Sequence, residues 1–176
     1  MIIAWTYLLH AYYRRERVEY RHFAQHGERR RFDRTKHGAY RHWELERCLD
    51  DDRCPLDVNT RNNLKFLIGL RHEIEHQMTL RLADYLSGRY QACCLNYNRY
   101  VIDLFGGQYG LDAHLSYSLQ LGELARDQVE AMVSAEDIPE RVKTYIADFD
   151  GTLTEEQFNS PQYSYRLLFT RKSRAN

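Results

Sequence analysis

One run constrains this chain more than any other. After Asn59 or Thr60, either of which can cap a helix, the apolar residues Leu64, Leu67, Ile68, Ile74, Met78 and Leu82 recur at helical spacing. The run predicts a long amphipathic helix, which is stable only when its apolar face meets a partner surface. Composition points the same way. Leu (21) equals Val, Ile and Thr combined (21), and only 12 of 176 residues are Gly or Pro, which favours helices over a turn-rich β-sandwich or barrel. With 43% apolar residues and 14 Tyr, the chain can bury enough surface to offset its conformational entropy. A mainly α single domain over residues 1–176 is expected, with a core in about 1–110 and a decorated segment in about 111–176.

The remaining elements follow from spacing and punctuation. Residues 2–13 carry apolar side chains at 2, 5, 8, 9 and 12, a first helix. Residues 39–49 give a short second helix, stopped by Asp50-Asp51-Asp52 and Pro55. A helix from Leu82 or Gly88 to Phe105 ends at Gly106-Gly107, with Tyr90, Cys93, Cys94, Tyr97, Val101 and Leu104 inward. Further on, 111–133 reads as helix, 138–149 as a short amphipathic helix opened by Pro139, and 163–170 alternates as a strand.

Lys plus Arg (25) balances Asp plus Glu (25), so the whole chain is not a polycation built to coat nucleic acid. The balance is local, however. Residues 1–50 hold 11 basic and 7 acidic residues, and nine of the basic ones fall within 14–36 beside Tyr20, Phe23 and Phe32. That mixture suits phosphates and stacked bases, with Arg14, Arg15, Arg29, Arg30 and Arg31 as the RNA-binding candidates; a solvated surface loop is the plainer alternative. No apolar stretch approaches the roughly 20 residues that span a bilayer, and the N-terminus lacks the form of a secretory signal. A cytoplasmic location and no membrane partner are expected. Cys48, Cys54, Cys93 and Cys94 read as buried thiols, not a disulfide framework.

Three motifs compete for the chemistry. Asp148-Phe149-Asp150-Gly151-Thr152-Leu153-Thr154 is similar to the first motif of haloacid-dehalogenase-like phosphatases. That chemistry also requires a Rossmann-like sheet and further residues downstream, where 22 residues follow Thr154, so a helix C-terminus turning through Asp150-Gly151 is expected instead. His72-Glu73-Ile74-Glu75-His76 fits the HExxH pattern of zinc hydrolases, but no third ligand stands in a recognisable motif, and neither a metal nor another cofactor is expected. The same residues read from Arg71 give Arg-x4-His.

That last pattern resembles the signature of HEPN domains (higher eukaryotes and prokaryotes nucleotide-binding). The run RNNLKFLIGLRHEIEH at 61–76, the run YQACCLNYN at 90–98 and Ala4-Trp5 look like a bacterial HEPN-like family of uncharacterised proteins, over roughly residues 1–170. With 21 Arg and 8 His, a fixed Arg-to-His spacing arises about once by chance, and Arg21 to His26 repeats it. Context separates the copies: Arg71 to His76 lies in the apolar-striped helix, whereas Gly27 interrupts the charged stretch around the first.

The resemblance implies a HEPN-like helical bundle, to which the residue pattern after 110 adds a short C-terminal β or irregular extension. It also implies a homodimer with its cleft where two copies of the signature helix meet, an RNA substrate, and a toxin or antiviral-defence ribonuclease held by an antitoxin or regulatory partner protein. On a helical wheel Arg71 falls on the inward stripe, and Arg71 and His76 lie about 140° apart, so only the long arginine arm brings them together. Metal-free RNA cleavage needs a base, an acid and a fixed cation. His76 suits proton transfer near neutral pH, Arg71 supplies the permanent charge, and His72 orients phosphate or shares the proton work. A pair of Arg71 with Glu75 and a core role for His76, leaving an RNA-binding module or a dimeric scaffold, is the alternative.

Overall fold

The computed structural model describes residues 1–27, 29–74, 80–112 and 138–165, and the chain is mainly α. Helix α1 (Ile2–Arg15) turns Trp5, Leu8, Leu9 and Tyr13 inward, on the spacing the sequence shows. It ends in a reversal at Arg17, whose φ is 56°. The Val18 amide donates to the Tyr13 carbonyl at 2.8 Å and the Arg17 amide to Arg14 at 3.3 Å, which satisfies carbonyls that a helix end leaves open.

The reversal delivers the chain into β-structure where a loop was the expectation. Strands β1 (Phe23–His26) and β2 (Arg29–Phe32) form an antiparallel hairpin that pairs Phe23 with Phe32 and His26 with Arg29. Gly27, at φ 59°, supplies the positive φ a two-residue hairpin turn demands. Bridges Arg21–His42 and Arg34–Tyr40 prolong the stem. For that reason the helix expected over 39–49 shrinks to α2 (Leu45–Asp50). The Arg41 amide donates to Asp33 (3.0 Å) and the Trp43 amide to Tyr20 (2.9 Å), cross-strand bonds that keep this stretch in the stem. Buried Trp43 packs edge-on against Tyr13 at 5.7 Å and seats the hairpin on α1.

Helix α3 (Val58–Ile74) is capped by Asp57, two residues before the expected Asn59 and three before Thr60. Asp57 Oδ1 accepts from the Thr60 amide at 2.8 Å, and Oδ2 accepts from Tyr100 at 2.9 Å and Arg99 at 2.7 Å. Burial raises this carboxyl's pKa, but the donors from Thr60, Tyr100 and Arg99 outweigh it and hold the group below the usual carboxylate range. One side chain thus caps α3 and ties it to α4 (Leu80–Phe105).

Helix α4 is covered on several sides. Trp5 Nε1 of α1 donates to Cys93 Sγ at 3.3 Å, Asn63 of α3 donates to the Arg89 carbonyl at 2.9 Å, and Asn96 donates to the Gln162 carbonyl at 2.7 Å. The polar residues Arg89, Gln91, Asn96 and Asn98 are therefore buried beside the expected apolar positions. The helix ends at Gly106, with φ 109°, before a 3-10 turn at Gly107–Tyr109.

Helix α5 (Glu140–Gly151) follows Pro139 as expected and packs on α3, with Val142 and Ile146 buried and the Tyr145 hydroxyl donating to the Phe66 carbonyl at 2.8 Å. Helix α6 (Glu155–Phe158) opens with a capping box between Thr154 and Gln157. The expected strand over 163–170 is corrected at its start. Residues 163–165 form a turn, with the Tyr163 amide bonded to Ser160 and the Tyr165 amide to Gly88. Residues 166–170 lie outside the described residues, as do 113–133 of the expected helix over 111–133, and Leu111 is not helical. Side chains from α1 to α5, with Trp43 and Tyr163, join in one continuous core. Each fully buried Leu or aromatic there contributes roughly 1.5–3 kcal/mol. All four cysteines are free thiols. Among the described residues no helix is long and apolar enough to cross a membrane.

Candidate functional site

The last turn of α3 carries Arg71 and His72, and both are exposed. The expectation that Arg71 faces inward is corrected. The buried residues of α3 are Thr60, Asn63, Leu64, Phe66, Leu67, Leu70 and Ile74. Arg71 sits at the edge of that arc, and the short α2, which reaches α3 through the Lys65–Asp50 pair at 2.6 Å, lies over turns nearer the N-terminus. Helix α5 covers the opposite flank, where Tyr145 touches the backbone at Phe66. The guanidinium is thus left in water, where it costs little, instead of in a core that would have to neutralise it. Neither Arg71 nor His72 has a hydrogen-bond or ion-pair partner among the described residues. The Arg71 charge also complements the negative end of the α3 dipole, worth about 0.3–1 kcal/mol near a helix terminus. Glu75 and His76, the other members of the Arg-x4-His and HExxH patterns, lie outside the described residues. Among the described residues no group of three His, Cys, Asp or Glu side chains is placed to hold a metal ion.

The other Arg-x4-His copy is embedded in the hairpin stem. Arg21 forks onto the Glu19 carboxylate at 2.8 and 2.6 Å, and its guanidinium lies over Phe32 at 4.1 Å and Tyr40 at 4.8 Å. That pairing holds Glu19 below the usual carboxylate range.

The five arginines expected to meet RNA do not share one face. Arg15 donates to the Leu104 carbonyl and lies over Tyr12 and Phe105, so it fastens α1 to the end of α4. Arg14 is exposed beside it. Strand alternation puts Arg30 on the face of Phe23 and Phe32, and Arg29 and Arg31 on the other. Sequence reasoning missed Arg21, Arg34 and Tyr40, which complete the first face. Arg34 lies over Tyr40 at 4.1 Å and Arg30 over Phe23 at 4.8 Å, while Phe23 and Phe32 meet edge-on at 5.9 Å. A signal was present: Arg21-x-Phe23 and Arg30-x-Phe32-x-Arg34 alternate with period two, the mark of a strand with one Arg-aromatic face.

The phosphatase-like motif is absorbed by packing. Asp148 is exposed, while Asp150 accepts from Arg89 at 2.5 Å and from the Tyr163 hydroxyl at 2.6 Å. Arg89 in turn lies over Phe66 at 4.4 Å and Tyr163 at 5.3 Å. Asp150 thereby joins α4, α5 and the turn at Tyr163, and α5 ends at Gly151 as expected.

Residues 1–153 match a family described as a domain of unknown function, DUF3644. No curated protein and no solved structure matches the chain.

Proposed function

The chain belongs to the DUF3644 family through residues 1–153, a span that takes in both the end of α3 and the Arg-aromatic hairpin, and from that premise we propose that it is a metal-independent endoribonuclease acting as a homodimer in the cytoplasm. The observation that carries the reading is the solvent exposure of Arg71 and His72, free of described partners, at the end of the helix whose sequence resembles the HEPN signature. Structural arginines of this chain have partners, as Arg61 of α3 has the Leu56 carbonyl and Arg89 of α4 has Asp150. The competing copy of the motif is weakened because Arg21 is already committed to Glu19 and two rings.

In this reading Arg71 holds the scissile phosphate and His76 takes the proton of the ribose 2′-hydroxyl. The 2′-oxygen attacks phosphorus, the bond to the 5′-oxygen breaks, and an imidazole, His72 or the second copy's His76, returns a proton to that oxygen. The products are a 2′,3′-cyclic phosphate and a 5′-hydroxyl, and DNA, which lacks the nucleophile, is not cut. The toxin or antiviral-defence role and an antitoxin or regulatory partner rest on the HEPN resemblance.

The test is incubation of purified protein with RNA in EDTA. The expected result is cleavage that Arg71→Ala or His76→Ala reduces at least about 100-fold, with the oligomeric state read by light scattering staying dimeric. Cleavage that requires added zinc would move the chemistry to the HExxH reading. A chain that binds RNA without cutting it would be a binding module, the second reading, which the Arg-aromatic hairpin favours.

A further inference from the structure

The hairpin stem, α2 and the turn after α2 form a cleft of about 330 Å³ whose lining includes Arg21, Phe23, Arg30, Trp43, Arg47 and Arg53 as well as the carboxylates of Glu19 and Asp51. Two of these guanidiniums are already neutralised, Arg21 on Glu19 at 2.6 Å and Arg53 on Asp51 at 2.7 Å. Arg30 and Arg47 have no carboxylate partner among the described residues. Each is held instead over a ring, Arg30 over Phe23 at 4.8 Å and Arg47 over Trp43 at 5.0 Å. A guanidinium fixed on an aromatic face keeps its in-plane donors directed outward, the arrangement that meets phosphate oxygens in pairs.

Beside the cleft, Arg34, Tyr40, Arg21 and Phe32 follow one another as alternating cation and ring. Phe23 and Tyr40 are 37% and 38% exposed, so part of each ring is open to solvent. Seven Arg or Lys against two Asp or Glu between residues 20 and 43 make the module strongly positive in a chain whose total is zero.

We infer that this face of the hairpin is a docking platform for single-stranded nucleic acid, with backbone phosphates on Arg30 and Arg47 and an unpaired base stacked on the exposed part of Phe23. Charge alone would also take an acidic peptide, but the interleaved π-surfaces would then go unused. A duplex keeps its bases stacked on one another and away from the rings. The platform is separate from the end of α3 and does not rest on the cleavage reading.

The test is fluorescence anisotropy of the full chain with a labelled 2′-O-methyl oligouridylate of about 12 nucleotides, within the span such platforms cover and lacking the 2′-hydroxyl that cleavage needs. Parallel arms use the deoxy oligomer, a duplex of the same length and polyglutamate. Both single strands are expected to bind, the duplex and polyglutamate at least tenfold more weakly. Arg30→Gln with Arg47→Gln should make the salt dependence of log affinity shallower by about 1.4, from two phosphate contacts. Phe23→Ala should cost about tenfold, with Phe23→Trp restoring affinity by keeping a stacking face. Lys65→Gln, on α3, should leave binding unchanged. Duplex or polyglutamate binding as tight as the single strand, unaltered binding by the hairpin variants, or no saturable binding by the wild type would each overturn the inference. Failure of the wild type to cut RNA, with anisotropy responding to the hairpin variants as expected, removes the cleavage reading and leaves the platform standing.

Discussion

Replacing Asp150 by Ala separates the two roles its motif suggests. The carboxylate holds Arg89 at 2.5 Å, and the two side chains are 16% and 5% exposed, so this is a buried pair. Removing one member of such a pair typically costs about 3–5 kcal/mol, because the surviving charge stays desolvated. The low end applies here. Asp150 retains some contact with water, and the rings of Phe66 and Tyr163 beneath Arg89 return part of the loss. The expected cost is about 3 kcal/mol, which for a chain of this size lowers Tm by roughly 6–12 °C. Urea unfolding should show an earlier midpoint with an unchanged slope, since the surface exposed on unfolding stays the same. Asp148→Ala, at an exposed position, should stay within about 0.5 kcal/mol. The double variant Arg89→Met with Asp150→Leu should recover most of the loss, because it removes both charges together. A cost below about 1 kcal/mol for Asp150→Ala, or an equal cost for Asp148→Ala, would refute the anchoring role.

Three further outcomes follow from packing and protonation. Gly69→Ala should destabilise by about 1–3 kcal/mol, because its Cβ would stand 2.2 Å from the Tyr145 hydroxyl; Gly151→Ala, with open space around it, should be neutral or stabilising in the same melt. His10 packs on Tyr20 at 4.7 Å, and its Nε2 donates to the Trp43 carbonyl at 2.7 Å. Burial, aided by His42 and opposed by that carbonyl, holds its pKa below the usual histidine value. The unfolded chain therefore binds the proton more readily, so stability is complete above about pH 6.5 and declines as pH falls toward the folded-state pKa. His10→Gln should flatten the loss of Tm between about pH 7 and 5, and an unchanged slope would remove His10 from the account. Burial pushes the Cys48 and Cys93 thiols up to about 12. Native protein at about pH 8 should thus leave both unlabelled by iodoacetamide while urea exposes all four cysteines, and rapid native labelling of either would contradict the packing.

The helices were legible because their signals are local. The apolar spacing in α1 and α3, Pro139 before α5 and Gly106 after α4 each act within a turn or two of chain. The hairpin was harder to read. Its pairing joins Arg21 to His42 across 21 positions, and those same pairs removed residues 40–43 from the helix that their neighbours favour. The cap of α3 was placed two or three residues late because Asp57 is chosen by Arg99 and Tyr100 as much as by its own helix.

What the sequence determined by itself was a mainly helical chain with a basic front, four thiols outside any disulfide framework, and an Arg-His pair in a striped helix. Periodicity and charge are properties of neighbours along the chain, so they survive without coordinates. Only the tertiary structure decided which polar groups are engaged and which face water. It buried Arg89 against Asp150, left Arg71 exposed at the edge of its stripe, and divided Arg29, Arg30 and Arg31 between two faces of a hairpin. The physical reason is that the cost of a charge depends on what covers it, and here the cover comes from segments far away in the sequence.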